Sequence, residues 1–148
     1  MSLSCGDLQQ LLHREIPLSR AMEIRVSRCD SSLVELRAPL QPNINHKCTA
    51  FGGSLYSIAV LCGWSFVYRL LSSHQLSGHI VIQHSEVDYI RPLDGEICAR
   101  CQYSDMARFE PFIKLYQRRG RSRIKLQVKL AHNGEDAVSF NGQYVVHR

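Results

Sequence analysis

Between Asn43 and Ser54 the chain reads N-I-N-H-K-C-T-A-F-G-G-S, a polar loop that ends on paired glycines and runs straight into an uncharged stretch. A helix beginning at Gly52-Gly53 leaves its first backbone N–H groups without intrahelical partners. With the positive end of the helix dipole, those groups suit a developing oxyanion. Paired glycines also simply let another element come close. Asn45 can hold a carbonyl or a water without competing for a proton, or it shapes the loop as an Asx-turn. His46 can serve as a general base, although a loop histidine is commonly exposed and inert. Thr49 and Ser54 flank the glycines and either orient a ligand or cap the helix. Asn43 is a weaker case of the same argument.

Two further clusters carry charge. His84, Glu86 and Asp88 alternate along one strand face and offer carboxylates, against the plainer reading of a solvated sheet face. Arg118-Arg119-Gly120-Arg121-Ser122-Arg123-Ile124-Lys125 is the densest charge in the chain, and Arg119, Arg121 and Arg123 suit phosphate groups or an acidic protein surface. A solvated helix end is the alternative. Nucleic acid is disfavoured because only Tyr116 lies near the run, whereas base stacking needs interleaved aromatics. Net charge is +5, which fits acidic partners without choosing among them. Of the six cysteines, Cys98 and Cys101 alone spell C-x-x-C, inside a strand pattern and without a second pair, so neither a metal nor a redox site is expected. Reduced thiols point to a cytoplasmic protein.

The element that must position the loop is a helix. No Lys, Arg, Asp, Glu or His occurs from Cys48 to Tyr68, and a helix apolar on every side has to be buried on every side. Those 21 uncharged residues are long enough to span a bilayer, but Thr49, Ser54, Ser57, Ser65, three glycines and the interruption by Arg69 argue against it. The amino terminus lacks the basic and apolar regions of a signal peptide.

Asp7 is placed to cap a short helix bearing Leu8, Leu11 and Leu12, stopped by Pro17. Alternating runs at 22–27, 32–38, 79–91, 96–104, 123–131 and 137–146 read as strands. Val81, Gln83, Ser85, Val87 and Tyr89 share one face of the third. Pro111 and Gly120 bracket a short helix. The expectation is one α+β domain over 1–148, with 1–17 a helical flap and a curved antiparallel sheet wrapped around a long central helix.

That order, with Asn45-x6-Gly52-Gly53 leading into the buried helix and a strand ending Tyr89-Ile90-Arg91-Pro92, resembles the hot-dog thioesterases. Ala38 to Asn45 (APL-x-PN-x-N), Thr49 to Leu55 (TAFGGSL) and Gly63-Trp64 resemble the thioesterase domain found at the carboxyl end of YiiD-type proteins. The resemblance spans 17–146. It implies hydrolysis of acyl-CoA or acyl-carrier-protein thioesters, with Gly53 polarising the carbonyl, Asn45 placing the water, and Asn43, Thr49, Phe51, Gly52 and Ser54 around the substrate. Coenzyme A or phosphopantetheine enters only as part of the substrate, with phosphates for Arg119, Arg121 and Arg123. A homodimer or dimer of dimers is implied, in which a partner strand brings Glu86 and Asp88 near the site. One departure is plain. Ser54 to Val60 has no acid where many of these enzymes carry Asp or Glu. A non-catalytic acyl- or CoA-binding module is therefore the alternative, ahead of a dehydratase, whose chemistry needs a paired His and acid.

Overall fold

The computed structural model describes residues 2–148. Helix α1 (Cys5–Glu15) starts on a capping box in which the Ser4 hydroxyl accepts the Asp7 N–H and the Asp7 carboxylate accepts the Ser4 N–H. Ser4, not Asp7, is the cap, because the reciprocal pair needs the hydroxyl one turn ahead of the acid. Pro17 ends α1 but also opens a second turn, α2 (Pro17–Ala21), since its fixed φ suits a first helical position. This flap is part of the core, with Leu8 and Leu12 fully buried.

Strands β1 (Arg25–Cys29) and β2 (Leu33–Ala38) form a hairpin. A 3₁₀ turn at Gln41–Asn43 and a loop then lead to α3 (Gly52–Ser73). After α3 come β3 (His79–Tyr89), β4 (Ile97–Gln102), a second 3₁₀ turn (Met106–Phe109), α4 (Glu110–Arg119), β5 (Arg121–His132) and β6 (Glu135–His147). Gly120 stops α4 in the left-handed conformation at φ 70°. Asn133 and Gly134, both with positive φ, make the tight turn of the last hairpin. All six strands join one antiparallel sheet in the order β1-β2-β4-β5-β6-β3.

The sheet curls around α3, and no residue from 54 to 72 is exposed. By length and composition α3 is able to cross a membrane, yet here it is the core helix. Helix and sheet come into tight contact at Gly63, where a Cβ would collide with the Tyr144 hydroxyl. That hydroxyl donates to the Val60 carbonyl at 2.7 Å, so the glycine makes room for a buried phenol that ties helix to sheet. Tyr56, Val60, Trp64 and Tyr68, four residues apart, form a half-buried stripe on the side of β3. From it Tyr56 meets Ser85 and Trp64 donates to the Ile80 carbonyl.

Two irregularities matter later. Gln83 bulges out of the β3–β6 ladder, since Ile82 pairs with Tyr144 and His84 with Gln143. The bulge splits the expected face: Val81 and Gln83 point outward, while Ser85 and Val87 turn toward α3. Second, β4 and β5 pair only through Ala99–Leu130 and Arg100–Lys129. Beyond them Tyr103 fills the gap, its hydroxyl accepting the Gln127 N–H at 2.8 Å.

On the outer face Glu35 is only 2% exposed and binds Ser27, Arg37 and Arg100. Burial alone would raise its pKa, but these three donors outweigh it and hold the carboxyl at about 2. A carboxylate depressed from its ordinary 4.5 contributes stability that is complete above that value and is lost as pH falls toward 2. Glu35→Gln is expected to lower Tm at pH 7, with the gap to wild type closing between pH 4.5 and 2; a gap unchanged over that range in calorimetry refutes the assignment. Gly63→Ala is expected to cost about 1–3 kcal/mol by overpacking against Tyr144, read as a lower midpoint in urea.

Candidate active site at the start of the central helix

The loop before α3 is closed on itself by Asn45. Its Oδ1 accepts the N–H groups of Lys47 (2.9 Å) and Thr49 (3.1 Å), and its Nδ2 donates to the Thr49 hydroxyl (2.9 Å). The Asn45 N–H donates to the Thr49 carbonyl, and Ile44 bridges Ala50. The Asx-turn reading thus describes the geometry, and it leaves one Nδ2 hydrogen uncommitted. The Ala50 N–H donates to Leu93 O and the Phe51 N–H to Asn43 O, which fixes where the helix begins.

Phe51 is the N-cap residue, and no side chain caps α3. Ser54 therefore does not cap. The first N–H groups of α3 open beside a groove of about 330 Å³ walled by Leu18, Ala21, Met22, Phe51, Ser54 and Ser57, with Gly53 and Asn43 also at its surface. Leu18 is 53% and Phe51 56% exposed. The Phe51 ring lies over Gly53, where a Cβ would come within 2.4 Å of it. The Tyr89 hydroxyl donates to the Gly52 carbonyl at 3.0 Å, and the Ser57 hydroxyl to that of Gly53. Asn43 is 2% exposed; its Nδ2 ties the carbonyls of Met22 and Pro39, and its Oδ1 has no partner. The structure gives Asn43 a tying role between flap and loop.

The remaining candidates lie apart. His46 is exposed beside Asn45. His84 and Glu86 stand 3.9 Å apart on the outer face of the sheet, with Asp88 on that same face, opposite the side on which Ser85 meets α3. Within the chain they are not brought to Gly53. Arg119 and Arg121 sit at the other end of the sheet, where Arg121 pairs with His147 and His147 with His79. The ten residue steps of β3 separate that end from Tyr89 and Gly52, about 33 Å. Arg123 faces a different groove, between α4 and β5. Cys101 is buried and Cys98 lies on the opposite face of β4, so the pair cannot converge on one atom.

Sequence reasoning missed the flap residues Leu18, Ala21 and Met22 and the hydroxyls of Tyr56, Ser85 and Tyr89. Tyr89 had a signal in the Tyr-Ile-Arg-Pro strand end. The flap residues had none, since their place depends on how α2 packs.

Comparison with known proteins bears on this geometry. Residues 5–148 match the family described as Putative thioesterase (yiiD_Cterm). A protein of unknown function from Chlorobaculum tepidum TLS is 32% identical, superposes with a TM-score of 0.93, and is matched over 99% of this chain and 98% of its own. The putative thioesterase from Shewanella oneidensis is 28% identical with a TM-score of 0.84, over 97% of both chains. A Pseudomonas aeruginosa protein, 21% identical with the same TM-score over 99% of this chain and 97% of its own, supports the fold alone. With a curved six-stranded sheet around one long helix, the fold is the hot-dog fold, and the chain belongs to the thioesterase family of YiiD carboxyl-terminal domains.

Proposed function

We propose that this protein hydrolyses acyl thioesters of coenzyme A or of acyl carrier protein at the start of α3. The observation that carries the reading is the uncapped helix N-terminus opening on a groove with an apolar wall. The carbonyl oxygen sits on the Gly53 N–H, where negative charge developing in the transition state meets fixed donors and the helix dipole. The acyl chain lies along Leu18, Met22 and Phe51, whose ring swings aside to admit the carbonyl. Thr49 locks Asn45, whose free Nδ2 hydrogen holds either the carbonyl or the attacking water. Asn45 only donates to the substrate, so His46, its exposed neighbour in the loop, takes the proton of that water. The six free thiols fit a reducing, cytoplasmic setting.

A homodimer completes the site in this reading. Among the described residues no strand covers the outer edge of β3, and an uncovered edge of 11 residues invites pairing. The half-buried stripe from Tyr56 to Tyr68 lies alongside it. Antiparallel pairing of β3 with its copy sets the partner's basic end next to Tyr89, with its β5 three strand spacings away, about 14 Å. Arg119 and Arg121 of the partner copy then take the phosphates of the substrate's carrier. Glu86 and Asp88 stay on the outer face in such a pairing.

One observation favours a second reading, a non-catalytic acyl- or CoA-binding module: no carboxylate stands at the helix start among the described residues. Turnover of a panel of acyl thioesters separates the two, and tight binding without turnover establishes the module.

Asn45→Asp keeps both acceptor bonds of the loop and removes the donor. It is expected to lower kcat about 100-fold, the usual cost of one oxyanion donor, with little change in Tm; unaltered kcat excludes Asn45. Arg119→Gln with Arg121→Gln is expected to raise KM several-fold at constant kcat, as for binding shared by ground and transition states. Co-expressing the Asn45→Asp chain with the arginine-substituted chain gives mixed dimers holding one intact site, so kcat/KM at low substrate rises above that of either variant alone. No recovery, or a mass near 17 kDa by light scattering, refutes the shared site.

A further inference from the structure

The groove between α4 and β5 belongs to neither part of that site. It measures about 340 Å³ and is walled by Phe109, Phe112, Leu115 and Ile124, with Arg108, Arg123 and Lys125 at its mouth. Among the described residues no acid lines it, and none of the three cations enters an ion pair. Arg108 is held by stacking, 4.7 Å from the Tyr103 ring centroid and 5.6 Å from that of Phe109. On the same face Arg37 and Arg100 are matched to Glu35 and Lys129 to Asp136, while Arg28 and Arg121 enter no ion pair among the described residues.

Two independent features mark the groove as built to receive something. Ser122, 3% exposed, lines it with a hydroxyl that has no partner. The groove also follows the stretch of β5 that β4 leaves uncovered. Because the Gln127 N–H points to that side, where Tyr103 takes it, strand alternation points the N–H groups of Arg123 and Lys125 there too. Free backbone donors, cations and a buried hydroxyl at the rim of an apolar slot suit an anion with an apolar tail.

We propose that the α4–β5 groove binds a fatty carboxylate, the carboxyl held by Arg123, Lys125 and Arg108 and the chain lying on Leu115, Phe112 and Ile124. A nucleotide fits less well, since the walls offer little to hydrogen-bond the edges of a base. The inference does not require thioester hydrolysis, because binding is read without turnover.

Calorimetric titration of decanoate tests it. The Arg123→Gln, Lys125→Gln double variant is expected to weaken decanoate about tenfold, one or two charge-assisted bonds lost. Leu115→Gln, at a partly exposed position, weakens it several-fold, while Lys114→Gln outside the groove does not. Inorganic phosphate, lacking a tail, binds wild type at least about tenfold more weakly than decanoate, as expected where buried apolar area adds to the charge. Decanoate binding that survives the double variant unchanged lies elsewhere, at the helix start, and overturns the proposal. So does equal loss in Lys114→Gln, which reports bulk charge, or phosphate binding equal to that of decanoate. Circular dichroism of each variant confirms that lost binding is not lost fold.

Discussion

A helix with no charge before Arg69 has to be covered along almost its whole length, and most of the structure answers that requirement. Strands from both halves of the sheet face it with Val34, Leu36, Ala99, Val128, Phe140 and Tyr144. Burial of this area is the main favourable term, but it is non-directional, and the axial position of α3 is set by polar ties. The Tyr144 hydroxyl on Val60, the Trp64 indole on Ile80 and the Tyr56–Ser85 pair each fix a different turn. Gly63 is the clearest dependent. Its missing side chain is the space the Tyr144 phenol occupies.

The same requirement makes the site. A helix that starts at the mouth of a curled sheet exposes its first turn while burying the rest, so the donors of Gly52 and Gly53 are left at the surface without a cap. Asn45 holds the preceding loop in its turn through Lys47 and Thr49 and still has one Nδ2 hydrogen to offer. Asn43 joins that loop to the flap through Met22. Loop, helix start and flap are thus tied to one another through Asn43, and the exposed ring of Phe51 lies over the groove they border.

Much of this is visible in the sequence because it is written in local patterns. The uncharged run gives the core helix, alternation gives the strands, and Gly52-Gly53 after Asn45 marks where the candidate site lies. What stays hidden depends on distance or on single irregular residues. Arg121 and Gly53 look compatible as one site until β3 shows that they lie at opposite ends of a chain. Gln83 carries no bulge signal, yet it decides that Ser85 faces α3. Ser4 and Asp7 are both good capping residues, and only the reciprocal bonds tell which leads. The flap follows the same logic, since Leu18 reads as one more apolar residue and gains meaning only from the groove beside it.

The narrow seam between β4 and β5 divides the sheet into two three-stranded blocks, β1-β2-β4 and β5-β6-β3, stitched by two residue pairs. Helix α3 packs against strands of both blocks and bridges them alongside the short ladder. In the language of local unfolding, the molecule has a fault line. In the first half of β5 the seam-facing amides of Arg123, Lys125 and Gln127 exchange without breaking the β5–β6 ladder, while those of β6, laddered on both sides, wait for the whole fold.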